Sequence, residues 1–231
     1  MARHLYIFIA SVFLMSFAFH SNRDIKETLE KVKAKYDKVN DYTATGKLKT
    51  NILFIKAPVA TVKVYYKKPD KLRIKNEKGI SLIPKGTVNI NPNNVLTLKE
   101  YESFDGGMEK VNGKDCKVIK IFPLDDKNDI SRATLYIDET EMLVMKSVIT
   151  SKENGTYELI LTYGSKKNWA LPDKVNFTFN TKEFKLPKGI SIDYDNGTEK
   201  DSKKEKDKKG KIEITYSSYV INQGVSDSNF E

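Results

Sequence analysis

The stretch VKVYYKKPDKLRIK, Val62 to Lys75, decides the fold class. Val62, Val64 and Tyr66 alternate with Lys63, Tyr65 and Lys67. Beyond Pro69 the alternation resumes as Leu72 and Ile74 against Arg73 and Lys75. A period of two marks strands with one dry face and one wet face. The basic segment KKPDK between them is too long for a two-residue turn and fits a hairpin loop of four or five residues. Such a sheet needs an apolar partner for its dry face.

The same period extends outward in both directions. In YTATGKLKTNILFIK, the positions of Tyr42, Ala44, Gly46, Leu48, Ile52 and Phe54 form one face. That run exceeds a usual strand, which predicts a curve or a bulge eased by Gly46. GISLIP, GTVNINP and NNVLTLKEYESF read as shorter strands among Gly, Pro and Asn breakers. VNGKDCKVIKIFP opens with the turn dipeptide Asn112-Gly113. RATLYID, EMLVMKSVIT, GTYELILTYG and DKVNFTFNTKEF then alternate as a meander, and KIEITYSSYVIN supplies a last strand. Upstream, SNRDIKETLEKVKAKYDKVN places Ile25, Leu29, Val32, Tyr36 and Val39 at helical spacing on one narrow stripe. The expected fold is mainly β (α+β): an open, incomplete antiparallel barrel of about ten or eleven strands, with the N-terminal amphipathic helix packed in its concave side. A helix of some eighteen residues cannot cover so wide a sheet alone, so loops, a further layer or a guest molecule must complete it.

The first residues read differently. After MARH comes LYIFIASVFLMSFAF, an uncharged apolar run of fifteen residues with Ser16 and Ala18 placed for cleavage after Ala18. This is the layout of a secretory signal peptide and is short for a bilayer span. Residues 1–18 are therefore expected to be removed, leaving 19–231 as a single domain in the periplasm. Histidine occurs only as His4 and His20, and cysteine only as Cys116. Catalytic triads, histidine-rich metal sites and internal disulfides are excluded on that count, and the expected protein is not an enzyme and carries no metal or cofactor. A formal charge of +9 favours acidic surfaces. Much of it comes from GTEKDSKKEKDKKGK, an expected mobile insertion near 197–211. Export and the absence of a recognised motif exclude nucleic acid as a partner.

The signal peptide, the leading helix and the run ending YYKKPDKLRIK together resemble the bacterial lipoprotein carriers of the LolA/LolB family. The meander from Thr134 to Gly164 resembles the later hairpins of that family, and FKLPKGISID, Phe184 to Asp193, its concluding segment. The resemblance covers roughly Ile25 to Asp193. It implies a periplasmic, monomeric carrier whose apolar cavity receives acyl chains of lipoproteins, or a related lipid, for transfer towards the outer membrane. Its partners would be an inner-membrane release complex and an outer-membrane acceptor. In the family an arginine before proline helps hold the lid shut by hydrogen bonding to backbone, and Lys68 stands at the matching position here, without the planar fork of arginine. Between Gly79 and Asp105 no lid helix is expected. The same fold also serves envelope-stress sensors, which is the alternative reading.

The residues themselves add a physical case. An acyl chain of ordinary length loses roughly ten kcal/mol on leaving an apolar site, at about 0.8 kcal/mol per methylene. A carrier must supply a concave, uncharged surface. The candidate surface comprises Leu48, Ile52, Phe54, Val62, Val64, Tyr66, Leu72, Ile74, Leu135, Ile137, Leu159, Leu161, Phe177 and Phe179. Ile25, Leu29, Val32 and Tyr36 would form the lid, with Lys68 as its latch.

Overall fold

A computed structural model describes residues 23–52, 55–56, 59–78, 93–180 and 209–230. Among the described residues, eleven strands form one antiparallel sheet that does not close. They are β1 (Asp41–Ile52), β2 (Ile55–Lys56), β3 (Ala60–Lys67), β4 (Lys71–Lys78), β5 (Tyr101–Val111) and β6 (Lys114–Pro123), then β7 (Ile130–Asp138), β8 (Leu143–Ser151), β9 (Gly155–Thr162), β10 (Lys174–Asn180) and β11 (Lys209–Ile221). The order across the sheet is β4-β3-β1-β11-β10-β9-β8-β7-β6-β5, and β2 pairs with β1 off this path. The two edges, β4 and β5, leave the barrel open. Helix α1 spans residues 23–36, and a short helix α2 spans Asn93–Leu96.

Local chemistry accounts for the turns. Lys67 pairs with Lys71 in register, so the loop is Lys68-Pro69-Asp70, three residues rather than the expected four or five. The Lys68–Pro69 peptide is cis. Asn112 and Gly113 both have positive φ, 50° and 82°, as a two-residue hairpin matching the strand twist requires. The long first strand does contain a bulge, with the register against β11 shifting between Thr45 and Gly46. A side chain at position 46 would place its Cβ 2.8 Å from the Thr215 carbonyl oxygen, so close strand approach requires glycine there.

Three expectations need correction. Helix α1 stops at Tyr36, sooner than the expected run to Asn40; Val39 is nevertheless buried, at 4% exposure. The segment beginning at Asn93 is helical at its start: Val95 and Leu96 are buried in the main core, and the strand begins only at Tyr101. No lid helix was expected between Gly79 and Asp105, so α2 is an addition. Finally, Lys209–Lys211 belong to β11 and not to the lysine-rich insertion. GISLIP, GTVNINP, FKLPKGISID, the rest of that insertion and the signal segment lie outside the described residues.

One hydrophobic cluster joins the helices to the sheet. It holds Ile25, Leu29, Val32 and Tyr36 of α1 with inward residues of β1, β3 and β6 to β11. Ala170, following the 3-10 turn Lys167–Trp169, belongs to it as well. The concave face is thus closed by α1, α2 and this turn.

Candidate functional site

Cross-strand registers assemble the concave face row by row. Thr50, Ile212, Phe177, Leu159, Ser147, Leu135 and Ile119 follow one another across β1, β11, β10, β9, β8, β7 and β6. None of the seven is more than 2% exposed. A second buried row runs Phe179, Tyr157, Ile149, Ala133, Ile121 across β10 to β6. A third, Leu48, Ile214, Val175, Leu161, lies on the other side of the first. Alternation with a period of two delivers these side chains to one face, because each strand pairs without a slip at these positions.

Of the fourteen residues predicted for the cavity, Leu48, Val62, Val64, Tyr66, Leu135, Ile137, Leu159, Leu161, Phe177 and Phe179 are buried. Leu72 and Ile74 are half-buried against the core. The side chains of Ile52 and Phe54 fall outside the described residues. The buried set forms one sheet face that packs directly beneath α1. Sequence reading passed over Ile119, Ile121, Ile149, Ile212 and Ile214, which carry the same alternation, and the two hydroxyls Thr50 and Ser147. At the barrel mouth, Tyr36, Tyr42, Tyr66, Tyr216, Trp169 and neighbouring aliphatics enclose a cavity of about 40 Å³. That is far below the several hundred Å³ of a ligand pocket. An adjoining open cleft of about 330 Å³ is lined by Lys33, Tyr36, Asp37, Tyr66, Lys68, Pro69, Leu96 and Thr97. Among the described residues, side chains of α1 pack directly on the buried rows of the concave face.

Polar contacts hold α1 at both ends. At its start the Lys117 ammonium, 6% exposed, pairs with Asp24 and lies 3.3 Å from Glu139. Thr28 Oγ1 donates to Glu139 Oε1 at 3.1 Å. Burial pushes the Lys117 pKa down, but Asp24 and Glu139 more than offset this and hold it above the ordinary lysine value. Toward the C-terminal end, Lys35 Nζ donates to the Glu141 carbonyl at 2.6 Å. The Tyr163 hydroxyl donates to the Val144 carbonyl at 2.9 Å, which leaves Tyr36 to donate to Tyr163 across 2.8 Å. Burial raises the Tyr36 hydroxyl to about 12.

Lys68 completes the clamp. Its Nζ donates to the Asp37 carbonyl at 2.6 Å and sits 3.4 Å from the Asp37 carboxylate. Asp37 directly follows α1, where unpaired carbonyls and the helix dipole both favour a cation. Burial pushes the Asp37 carboxyl up, yet Lys33 and Lys68 bring it below its ordinary value. Between these two ends the α1 stripe meets the sheet through apolar side chains.

No protein-family model and no curated protein matches the sequence. Solved structures do match. A domain from Vibrio parahaemolyticus, described as an outer membrane lipoprotein-sorting protein, superposes with a TM-score of 0.53 at 10% identity, covering 89% of this chain and 96% of that one. A LolA superfamily protein from Nitrosomonas europaea gives 0.51 at 11% identity over the same shares. The chain has the LolA fold. A DUF1329 family protein from Desulfovibrio piger shares the architecture, at 0.53, with 13% identity and coverage of 89% and 96%. At these identities the likeness establishes the LolA fold: an open, mostly β barrel with helices set into its concave side.

Proposed function

We propose that this protein is a non-catalytic carrier of acyl chains, taking the lipid part of a lipoprotein or a related lipid into the face now covered by α1. The observation that carries this reading is the set of uncharged, buried rows on which the amphipathic helix α1 packs, with α2 and the 3-10 turn beside it. Four α1 side chains, Ile25, Leu29, Val32 and Tyr36, are buried on that face. At about 1.5–3 kcal/mol each, they contribute on the order of 6–12 kcal/mol of gross burial. One acyl chain with about fourteen methylenes contributes a similar amount, at about 0.8 kcal/mol each. Exchange of helix for lipid is therefore close to balanced, as reversible loading and release require. The small cavity and the cleft beside Lys68 fit a resting state in which α1 occupies the site and lipid displaces it. Lys68 and Lys117 act as the latches at the two ends of the lid.

The rest of the reading follows from that role. Residues 1–18 direct export to the periplasm, and residues 19–231 act there as one domain and as a monomer. The partners are a membrane complex that releases the cargo and an outer-membrane acceptor. The likeness to the Vibrio parahaemolyticus lipoprotein-sorting protein supports this class of cargo. The test is native mass spectrometry of protein purified from a periplasm without detergent. Co-purifying acylated peptide or lipid is expected. Protein that is uniformly free of lipid, with a membrane regulator co-purifying instead, would overturn the carrier reading in favour of a sensor on the same fold.

A further inference from the structure

Ser147 breaks the chemistry of the concave face. It stands in the middle of the buried row, paired in register with Leu135 on β7 and Leu159 on β9. All three are 0% exposed. The alternation of β8 aims the Ser147 side chain at the same side as these leucines and as Ile149. Among the described residues its Oγ has no hydrogen-bond partner. A hydroxyl removed from water without a partner is destabilising, and buried polar groups with no partner are rare. Thr50 Oγ1 is unpartnered among the described residues too, but it sits at the end of the same row.

We propose that Ser147 is a carbonyl-binding subsite: when cargo replaces α1, its hydroxyl donates a hydrogen bond to the carbonyl of an ester- or amide-linked acyl chain. This rests on the carrier reading. A hydrocarbon tail satisfies Ile212, Phe177, Leu159, Leu135 and Ile119, whereas the linkage to its headgroup or protein is a polar acceptor that must also leave water. An acceptor placed at Ser147 satisfies both groups at once. The hydroxyl then costs the empty protein stability and returns selectivity to the loaded one. It fixes how deep the chain sits, since the acyl carbonyl is drawn to the centre of the face.

The experiment uses the full domain and the substitution Ser147→Ala. Displacement of a fluorescent apolar dye reads the affinities of methyl dodecanoate, N-methyl dodecanamide and pentadecane, and thermal melting reads the ligand-free protein. The variant is expected to melt no lower than wild type. It should bind the ester, the amide or both about five- to tenfold more weakly, which is the worth of one hydrogen bond, with pentadecane unchanged. Whichever carbonyl compound shows the loss assigns the linkage. Equal loss for all three ligands, no loss for any, or a lower melting temperature without ligand would overturn the subsite and leave the carrier reading standing. Failure of the wild type to bind any of the three would instead remove the carrier reading, and the subsite with it.

Discussion

Replacing Leu29 with alanine separates a lid from a structural helix. Leu29 lies between Ile25 and Val32 on the buried stripe of α1 and is 5% exposed. Alanine is the strongest helix former, so the substitution leaves the helix itself intact and the loss falls on its docking. A buried leucine reduced to alanine costs about 2–5 kcal/mol. If α1 and an acyl chain compete for one face, that loss raises the fraction of protein with the face open. Apparent affinity scales with the competent fraction, so even 2 kcal/mol can tighten acyl binding by up to about thirtyfold. Urea unfolding and titration with a fluorescent fatty acid measure the two effects side by side. The unfolding midpoint should fall while binding tightens. A variant that loses stability and binds the probe equally or more weakly would refute the competition between helix and lipid.

Other substitutions probe the clamps and the packing. Lys68→Ala removes the bond to the Asp37 carbonyl from a side chain one-third exposed; it should cost only about 0.5–1 kcal/mol in urea and speed probe uptake in stopped flow. Asp24→Asn with Glu139→Gln strips Lys117 of both counter-ions. This should cost about 3–5 kcal/mol in urea, because a buried charge is left unpaired. Lys117→Met should cost less than that pair, since no charge is left behind. Burial pushes the Asp138 carboxyl up, but Lys114 and the Thr140 and Glu141 amides more than offset it and leave the pKa below the ordinary value. Its contribution is thus present above the unfolded aspartate pKa and lost as pH falls through the depressed folded value. Asp138→Asn should flatten the acid limb of a stability-versus-pH curve. Gly210→Ala would put a Cβ 2.4 Å from the Phe179 ring, and should lower stability by about 1–3 kcal/mol through overpacking.

Strand content was readable wherever one face was dry and the other wet. Val62, Val64 and Tyr66 on β3, Leu159 and Leu161 on β9, and Phe177 and Phe179 on β10 all point inward as alternation requires. The helix stripe was equally plain, because its polar face is almost all Lys and Glu. Less was legible where tertiary contacts override local pattern. Asn93–Leu96 forms a helix whose four residues are too few to show a period, and it is held by burying Val95 and Leu96. Lys117 shares the face of Ile119 and Ile121 on β6, where a lysine needs counter-ions; only the fold reveals that Asp24 and Glu139 supply them, from 93 residues and 22 residues away in sequence. Ser147 gave no signal of its own, since serine is common on wet faces and its burial depends on Leu135 and Leu159 lying beside it.

Hydrogen–deuterium exchange of the full domain, with and without a saturating acylated peptide, bears most directly on the exchange of helix for lipid. The amides of residues 23–36 should lose protection when the peptide binds, while those of β7 to β10 keep theirs. Tight binding with α1 as protected as before would mean that the lipid sits elsewhere and that the helix is a permanent part of the core.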